Sequence, residues 1–356
     1  FDSERIIATA DIPGLRLYAV QKNKSSTPLA EPQDLQYPQG WVRSTPQTVC
    51  GAEYNNDGYN PPHNTTAYCG HHCGPSAAVH SFARATWGYF SAVCFIYGRA
   101  LLRETGRPQG LIESCWGGTP IESWSDAATL QKCPMNPDST SMAVVADSVE
   151  SMPAGGSNYN GMIAPFLRFP IRGAIWYQGE ANARRYNRYA CQMRSMIDGW
   201  RSAWQGSGSS ENFTFVLHQL SACTYGGDVP GLRWSQQGSV APWTQLPNTA
   251  MTVGLDLYDA MSPCANVHIR NKTAVGERMA RAALHLAYGK SLAYTGPVAY
   301  GFHLDPAAHT LNIEFSGATP PLSFKSIPNQ IVKVIAYLSK PGQTVHIVTK
   351  SKLLKK

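Results

Sequence analysis

From Phe90 onward the apolar residues fall into alternating helical and strand-like periods. Phe90, Val93, Cys94, Tyr97 and Leu101 recur at three and four residues, which predicts a buried helix face stopped by Gly106-Arg107-Pro108. Gly110-Leu111-Ile112 then begins a strand. The run Arg172–Tyr177 predicts a second buried strand, and the helix after it places Tyr186, Ala190, Met193, Ile197, Trp200 and Trp204 on one face. Phe213–Leu220 and Met251–Leu257 predict two further strands. Asn271–Tyr288 predicts a helix striped by Val275, Met279, Ala282 and Leu286. Strands alternating with helices imply an α/β fold whose parallel sheet is covered on both faces. In such sheets a ligand crevice lies beyond the carboxyl ends of the strands.

The pattern changes after about Leu292. Leu311–Phe315 and Ile331–Leu338 alternate without helices, so residues 293–356 read as a small β-rich region behind a main domain of residues 1–292. Residues 44–80, rich in Asn, Gly, Pro and His, read as a long loop or insertion. No internal repeat is evident, and no apolar run approaches the roughly 18 to 20 residues that span a bilayer.

Composition adds bounds rather than direction. With 43% hydrophobic and 15% charged residues, the 356-residue chain is globular in character rather than disordered. Its net charge of +7 is scattered apart from the Lys350–Lys356 tail, so no basic face for nucleic acid is indicated. Sequons at Asn23, Asn64, Asn212 and Asn271, together with nine cysteines, point to the secretory pathway and a secreted or lysosomal location. The start at Phe1 suggests a mature, processed or partial chain, with any targeting segment already gone. An odd cysteine count leaves at least one thiol free or paired outside the chain, and Cys94 and Cys115 in their apolar runs read as buried thiols.

Three stretches carry candidate chemistry. In "GLIESCWGGTPIESW", Gly110–Trp124, a strand runs into paired glycines at Gly117 and Gly118, which let backbone approach a ligand and leave amide N–H groups free. A tight strand-to-helix turn that binds nothing accounts for the same residues. In "AIWYQGEAN", Ala174–Asn182, the apolar run stops at Gln178, a neutral donor at every pH. Gln178 either aims its amide into the crevice or ties two loops together, and Glu180 is placed to favour the N-terminus of the next helix. In "SPCANVHIRNK", His268 stands between a strand and a helix, where an imidazole can serve as general base or as a structural residue.

Taken together, "GLIESCWGGTPIESW", "GAIWYQGEANA", "LRWSQQ" at Leu232–Gln237 and "VHIRNK" at Val267–Lys272 resemble, in order and spacing, the sialate O-acetylesterases. These belong to the SGNH (GDSL-like) serine esterases, and the resemblance covers about Leu15 to Leu292. It implies a three-layer α/β domain and hydrolysis of O-acetyl esters on sialic acids, chemistry that needs no cofactor or metal. A serine would attack the acetyl carbonyl and His268 would take its proton. A backbone N–H at Gly117 or Gly118 and the Gln178 amide would hold the oxyanion. Arg233 in "LRWSQQ" either pairs with a sialic acid carboxylate or fixes loops beside the sheet. Trp116, Trp176 and Tyr177 read as core rather than sugar platform.

The sequence also departs from that family. The Gly-Gln-Ser-Asn stretch that carries the nucleophile is not found, and Asp2-Ser3 lacks the strand and glycine an elbow needs. The expectation is a serine supplied by a segment outside this chain, either cleaved and persisting as a separate small N-terminal chain or present but unseen, since a sheet lacking its first strand would expose an unpaired edge. The other reading is an inactive relative that binds glycans or serves as a structural glycoprotein. An esterase acting on other acetylated sugars is a third. Where relatives often carry an aspartate two residues before the histidine, this chain has Asn266, so Asp259 or Asp256 would have to substitute through a loop. Beyond Gln330 the family's ending is not matched. Cys69-Gly-His-His-Cys73, with His63 upstream, has zinc-ligand residue types, but a disulfide to Cys50 fits an oxidising compartment better.

Overall fold

The computed structural model describes residues 3–32, 40–50, 90–133, 156–222, 226–241, 243–262, 266–296, 298–305, 310–316 and 344–348. The Cys69–Cys73 cluster, Asn64, the strand expected at Ile331–Leu338 and most of the expected 44–80 loop lie outside them. The chain divides into two compact units, Phe1–Leu292 and Ala293–Lys356.

In the first unit the strands are β1 (Ile12–Ala19), β2 (Val42–Ser44), β3 (Gln109–Glu113), β4 (Gly173–Trp176), β5 (Thr214–His218) and β6 (Thr249–Thr252). The helices are α1 (Ser3–Ala8), α2 (Pro46–Cys50), α3 (Ala92–Thr105), α4 (Ala127–Gln131), α5 (Tyr186–Ala203), α6 (Val229–Gln237) and α7 (Lys272–Tyr288). The strands form two groups, ordered β2-β1-β3 and β4-β5-β6. β1 and β3 run parallel, as do β4, β5 and β6, while the short β2 is antiparallel to β1.

Local chemistry sets the helix ends. Ser91 Oγ accepts the Cys94 N–H at 3.3 Å to start α3, and Gly106 at φ 66° closes it in the left-handed conformation that glycine adopts freely. Asn271 Oδ1 accepts the Ala274 N–H at 3.1 Å and starts α7, so the residue of that sequon is also a helix cap. α3 packs on α7 and on β1 and β3, while α7 packs on β4, β5 and β6. Gly98 permits the close seat of α3: a Cβ there would fall 2.4 Å from a Leu111 methyl.

On the opposite face, Tyr189, Met193, Met196, Ile197 and Trp200 of α5 bury against Trp176, Phe215 and Leu217. Helices on both faces of parallel strands make the three-layer α/β architecture that the alternating pattern implies. A disulfide joins Cys133, just past α4, to Cys191 in α5. By loop-closure arguments a cross-link of this span contributes about 4 kcal/mol. Cys94 and Cys115 are free thiols. The expected strand Met251–Leu257 is shorter than its pattern. After Thr252 the backbone passes so close to β5 that a Cβ on Gly254 would lie 2.4 Å from the Gln219 carbonyl oxygen, and Leu255–Leu257 turn into a 3-10 helix.

The second unit contains an antiparallel meander of β7 (Val298–Asp305), β8 (Thr310–Ser316) and β9 (Thr344–Val348). The expected strand Leu311–Phe315 lies within β8. Among the described residues no helix is long and apolar enough to cross a membrane.

Candidate active site

The carboxyl ends of β3 and β4 are joined by a chain of buried hydrogen bonds. Gln178 Nε2 donates to the Thr119 carbonyl at 3.1 Å and to Asn182 Oδ1 at 2.9 Å. Asn182 Oδ1 also accepts the Ile121 N–H, and its Nδ2 donates to Glu122 Oε2 at 2.8 Å. Gln192 donates to the other carboxylate oxygen of Glu122 at 2.9 Å. Tyr189 Oη donates to Gln178 Oε1 at 3.1 Å, and Gln236 Nε2 donates to the Gln178 carbonyl at 3.0 Å. Asn182 and Gln236 are wholly buried. Such a network is costly to leave half-made, so its members specify one arrangement of both loops.

This geometry explains "QGE". Both N–H groups of the Gln178 amide are occupied inside the protein, tying the loop after β3 to the loop after β4. A role in holding an oxyanion requires one of those bonds to be exchanged for substrate. Gly179 has no room for a side chain: a Cβ there would stand 3.0 Å from Gln236 Nε2 and Leu232. Glu180 opens the 3-10 turn Glu180–Arg185 that precedes α5, and burial raises its pKa despite backbone hydrogen bonds that oppose the rise.

The paired glycines are different. Gly117 and Gly118 are exposed, a Cβ on either would meet nothing within 4 Å, and neither N–H donates to a protein group among the described residues. Gly118 is required by its φ of 74° rather than by crowding. The loop therefore offers open N–H groups beside the sheet end. Trp116, just before them, is half-buried under the ammonium groups of Lys22 and Lys24, 5.7 and 5.0 Å from its ring centre.

His268 sits on the loop between β6 and α7 and is exposed. Ser262 Oγ donates to its backbone carbonyl at 2.6 Å, which fixes the main chain and leaves the ring out of the bond. Partial burial of the imidazole, reinforced by the Lys272 charge, lowers its pKa below the ordinary 6.5. Both aspartates proposed as its partner are engaged by arginines. Asp259 takes Arg270 in a two-pronged pair at 2.6 and 2.8 Å, bracing the two ends of the His268 loop. Asp256 takes Arg278 at 2.7 Å through both oxygens. Asn266 is half-buried on the same loop.

Lys272 links this loop to the strand ends. Its Nζ lies 5.6 Å from the Tyr177 ring centre, and burial lowers its pKa to about 8 against the opposing charges of Glu180 and Asp259. Behind Tyr177, at a ring separation of 4.8 Å, lies His218 at the end of β5. His218 is wholly buried, its Nδ1 is 2.8 Å from Thr252 Oγ1 and its Nε2 has no hydrogen-bond partner among the described residues. Burial first, then the charges of Arg278 and Lys272, push its pKa down to about 3. Arg233 on α6 is half-buried; its carbonyl accepts from Gln219 at 3.2 Å, and its guanidinium has no hydrogen bond or ion pair among the described residues. Asn182, Tyr189, Glu122, Gln236, His218 and Lys272 are the residues that sequence reasoning missed. Polar residues ending apolar runs, as in "FVLHQL", were the available signal.

The comparisons with known proteins converge on one family. Residues 90–285 match the model of the carbohydrate esterase, sialic acid-specific acetylesterase family. Sialate O-acetylesterases of Pongo abelii and Homo sapiens are 37% and 36% identical over 239 residues, covering 64% of this chain and 45% of each relative. The chain thus spans about half the length of those relatives. A novel carbohydrate acetylesterase from Xanthomonas citri, solved by crystallography, superposes with a TM-score of 0.67 at 27% identity, covering 98% of this chain and 68% of that one. The chain belongs to the sialic acid-specific acetylesterase family of carbohydrate esterases.

Proposed function

We propose that the protein removes O-acetyl groups from sialic acids by serine-esterase chemistry, with the serine carried by polypeptide outside these 356 residues. The observation that carries this reading is the pairing of a family match over residues 90–285 with an exposed, low-pKa His268 and free N–H groups at Gly117 and Gly118. The serine oxygen attacks the acetyl carbonyl while His268 accepts its proton. The resulting oxyanion rests on the Gly117–Gly118 backbone, and Gln178 joins by exchanging one of its internal bonds. The intermediate collapses as His268 returns the proton to the departing sugar oxygen. Water then releases acetate by the same path in reverse.

The scheme assigns His268 no partner acid, and Asp256 and Asp259 are each engaged by an arginine. Arg233, whose guanidinium has no hydrogen bond or ion pair among the described residues, suits the substrate's carboxylate. The Cys133–Cys191 disulfide and the exposed sequon residue Asn212 support a secreted or lysosomal glycoprotein. A non-catalytic glycan-binding role is the second reading, favoured by the fully occupied Gln178 amide. Acetate release from a panel of O-acetylated sialic acids and neutral acetylated sugars, using protein purified with any co-purifying polypeptide, separates the two. Sialate-dependent release together with fluorophosphonate labelling supports the esterase. Glycan binding without release or labelling overturns it.

A further inference from the structure

Three cations follow His268 into the middle of α7: Arg270, Lys272 and Arg278. Two of them are matched. Arg270 pairs with Asp259 and Arg278 with Asp256, each through both carboxylate oxygens. Lys272, the first residue of α7, is different: its Nζ makes no hydrogen bond and no ion pair among the described residues. The acids whose charges reach it are Glu180 and Asp259. Asp259 is taken by Arg270, and Glu180 accepts from the backbone at Gly179 and Glu180 instead.

The position of this ammonium is well defined. Nζ lies 5.6 Å from the ring centre of Tyr177, the residue between β4 and Gln178. Tyr177 is backed edge-on by His218 at the end of β5, with 4.8 Å between ring centres. The Lys272 charge reaches both His218 and His268. Its head group therefore stands over the carboxyl ends of β4 and β5, on the side of the His268 loop. Lys22 Nζ is sealed from solvent, whereas Lys272 Nζ keeps an accessible face although most of its side chain is buried. A cation held against an aromatic ring and largely desolvated attracts an anion more strongly than a surface lysine does. One such cation beside the carboxyl of Glu180 balances a single negative charge, not the two of a phosphate.

We infer that Lys272 is a carboxylate anchor in the crevice, a specificity-determining residue whose unmatched ammonium over Tyr177 binds small monoanions. The shared chemistry has two sources, and naming them rests on the esterase reading: the carboxylate of sialic acid itself, and the acetate released beside His268. The anchor stands without that reading. A neutral acetylated sugar cannot make this contact, so the anchor favours sialic acids over such sugars. Arg233 on α6 is the competing cation, and single variants separate the two.

An NMR titration of the whole chain tests this with N-acetylneuraminic acid, its methyl ester and sodium acetate. Wild type binds the acid about tenfold or more tightly than the ester. Lys272→Met weakens the acid by a similar factor, leaves the ester unchanged and keeps the thermal midpoint. Acetate that weakens in Lys272→Met while the acid does not assigns the anchor to the released product. Equal affinity of wild type and Lys272→Met for acid and acetate alike overturns the anchor, as does no saturable binding of either to wild type. Weakening of both by Arg233→Met and not by Lys272→Met gives the carboxylate to Arg233 and also overturns it. A wild-type readout covers a variant that fails to fold. With 13C-labelled lysines, the Lys272 Cε signal moves with acid or acetate and not with the ester, and an unmoved signal overturns the anchor. Turnover reports separately on the esterase reading. Binding through Lys272 without acetate release from an O-acetylated sialic acid keeps the anchor and removes the enzyme, and sialate-dependent release with unchanged KM and unchanged acetate affinity in Lys272→Met does the reverse.

Discussion

Two banks of loops at the carboxyl ends of the strands are built differently. After β3 and β4, the half-buried Gln178 bonds with the buried Asn182, Tyr189 and Gln236, and Asn182 bonds in turn with the buried Glu122. Beyond β6, the stretch before α7 is braced by ion pairs at Asp256 and Asp259 and leaves His268 exposed. Buried networks specify a single arrangement because each unmade bond is expensive. Exposed ion pairs contribute little and are screened by salt. One bank therefore holds shape, and the other presents a titratable group that can meet substrate.

The largest expected effect falls on the exposed bank. His268→Ala reduces kcat/KM for acetate release by about a thousandfold to ten-thousandfold with the thermal midpoint unchanged. Retained turnover in a folded variant breaks the contrast by removing chemistry from that bank. On the buried bank, Asn182→Ala leaves the Ile121 N–H, one Gln178 N–H and one Glu122 oxygen without partners. It costs about 3 kcal/mol in urea unfolding and lowers activity as well. Loss of activity with full stability would mean the network is not structural.

How much of this was legible follows the same division. α5 and β4 were readable because Met193, Ile197 and Trp200 keep helical spacing and Ala174–Trp176 form an apolar run. Gly117, Gln178 and His268 stood out as glycines, an amide and an imidazole interrupting or flanking such runs. The partners of Gln178 did not, because Asn182, Tyr189 and Gln236 meet it through bonds set by tertiary packing, which has no period in the sequence. The arginine partners of the aspartates were hidden for a related reason: sequence proximity to His268 says nothing of Arg270 and Arg278, which pair with both carboxylates.

Smaller effects sharpen the comparison. His218, buried at the end of β5, has its pKa down at about 3 from an ordinary 6.5, so folding favours its neutral form. Its contribution is complete above about pH 6.5 and is lost as pH falls towards 3, by up to about 1.4 kcal/mol per pH unit. His218→Gln flattens this part of the stability profile in urea melts between pH 3 and 7, and an unchanged slope excludes His218 as its source. Smallest is Asp259→Asn, which leaves the thermal midpoint in place, speeds amide exchange around His268 and lowers kcat/KM roughly threefold. A large loss of stability there would show that the exposed bank is structural after all.

The most direct measurement is the pH profile of kcat/KM for acetate release in the wild-type protein and Lys272→Met. With His268 as the base, its acid limb lies below pH 6.5, because burial and the Lys272 charge both disfavour the imidazolium. Removing that charge moves the limb upward. An acid limb that stays in place in Lys272→Met, or one that survives in His268→Ala, contradicts the account.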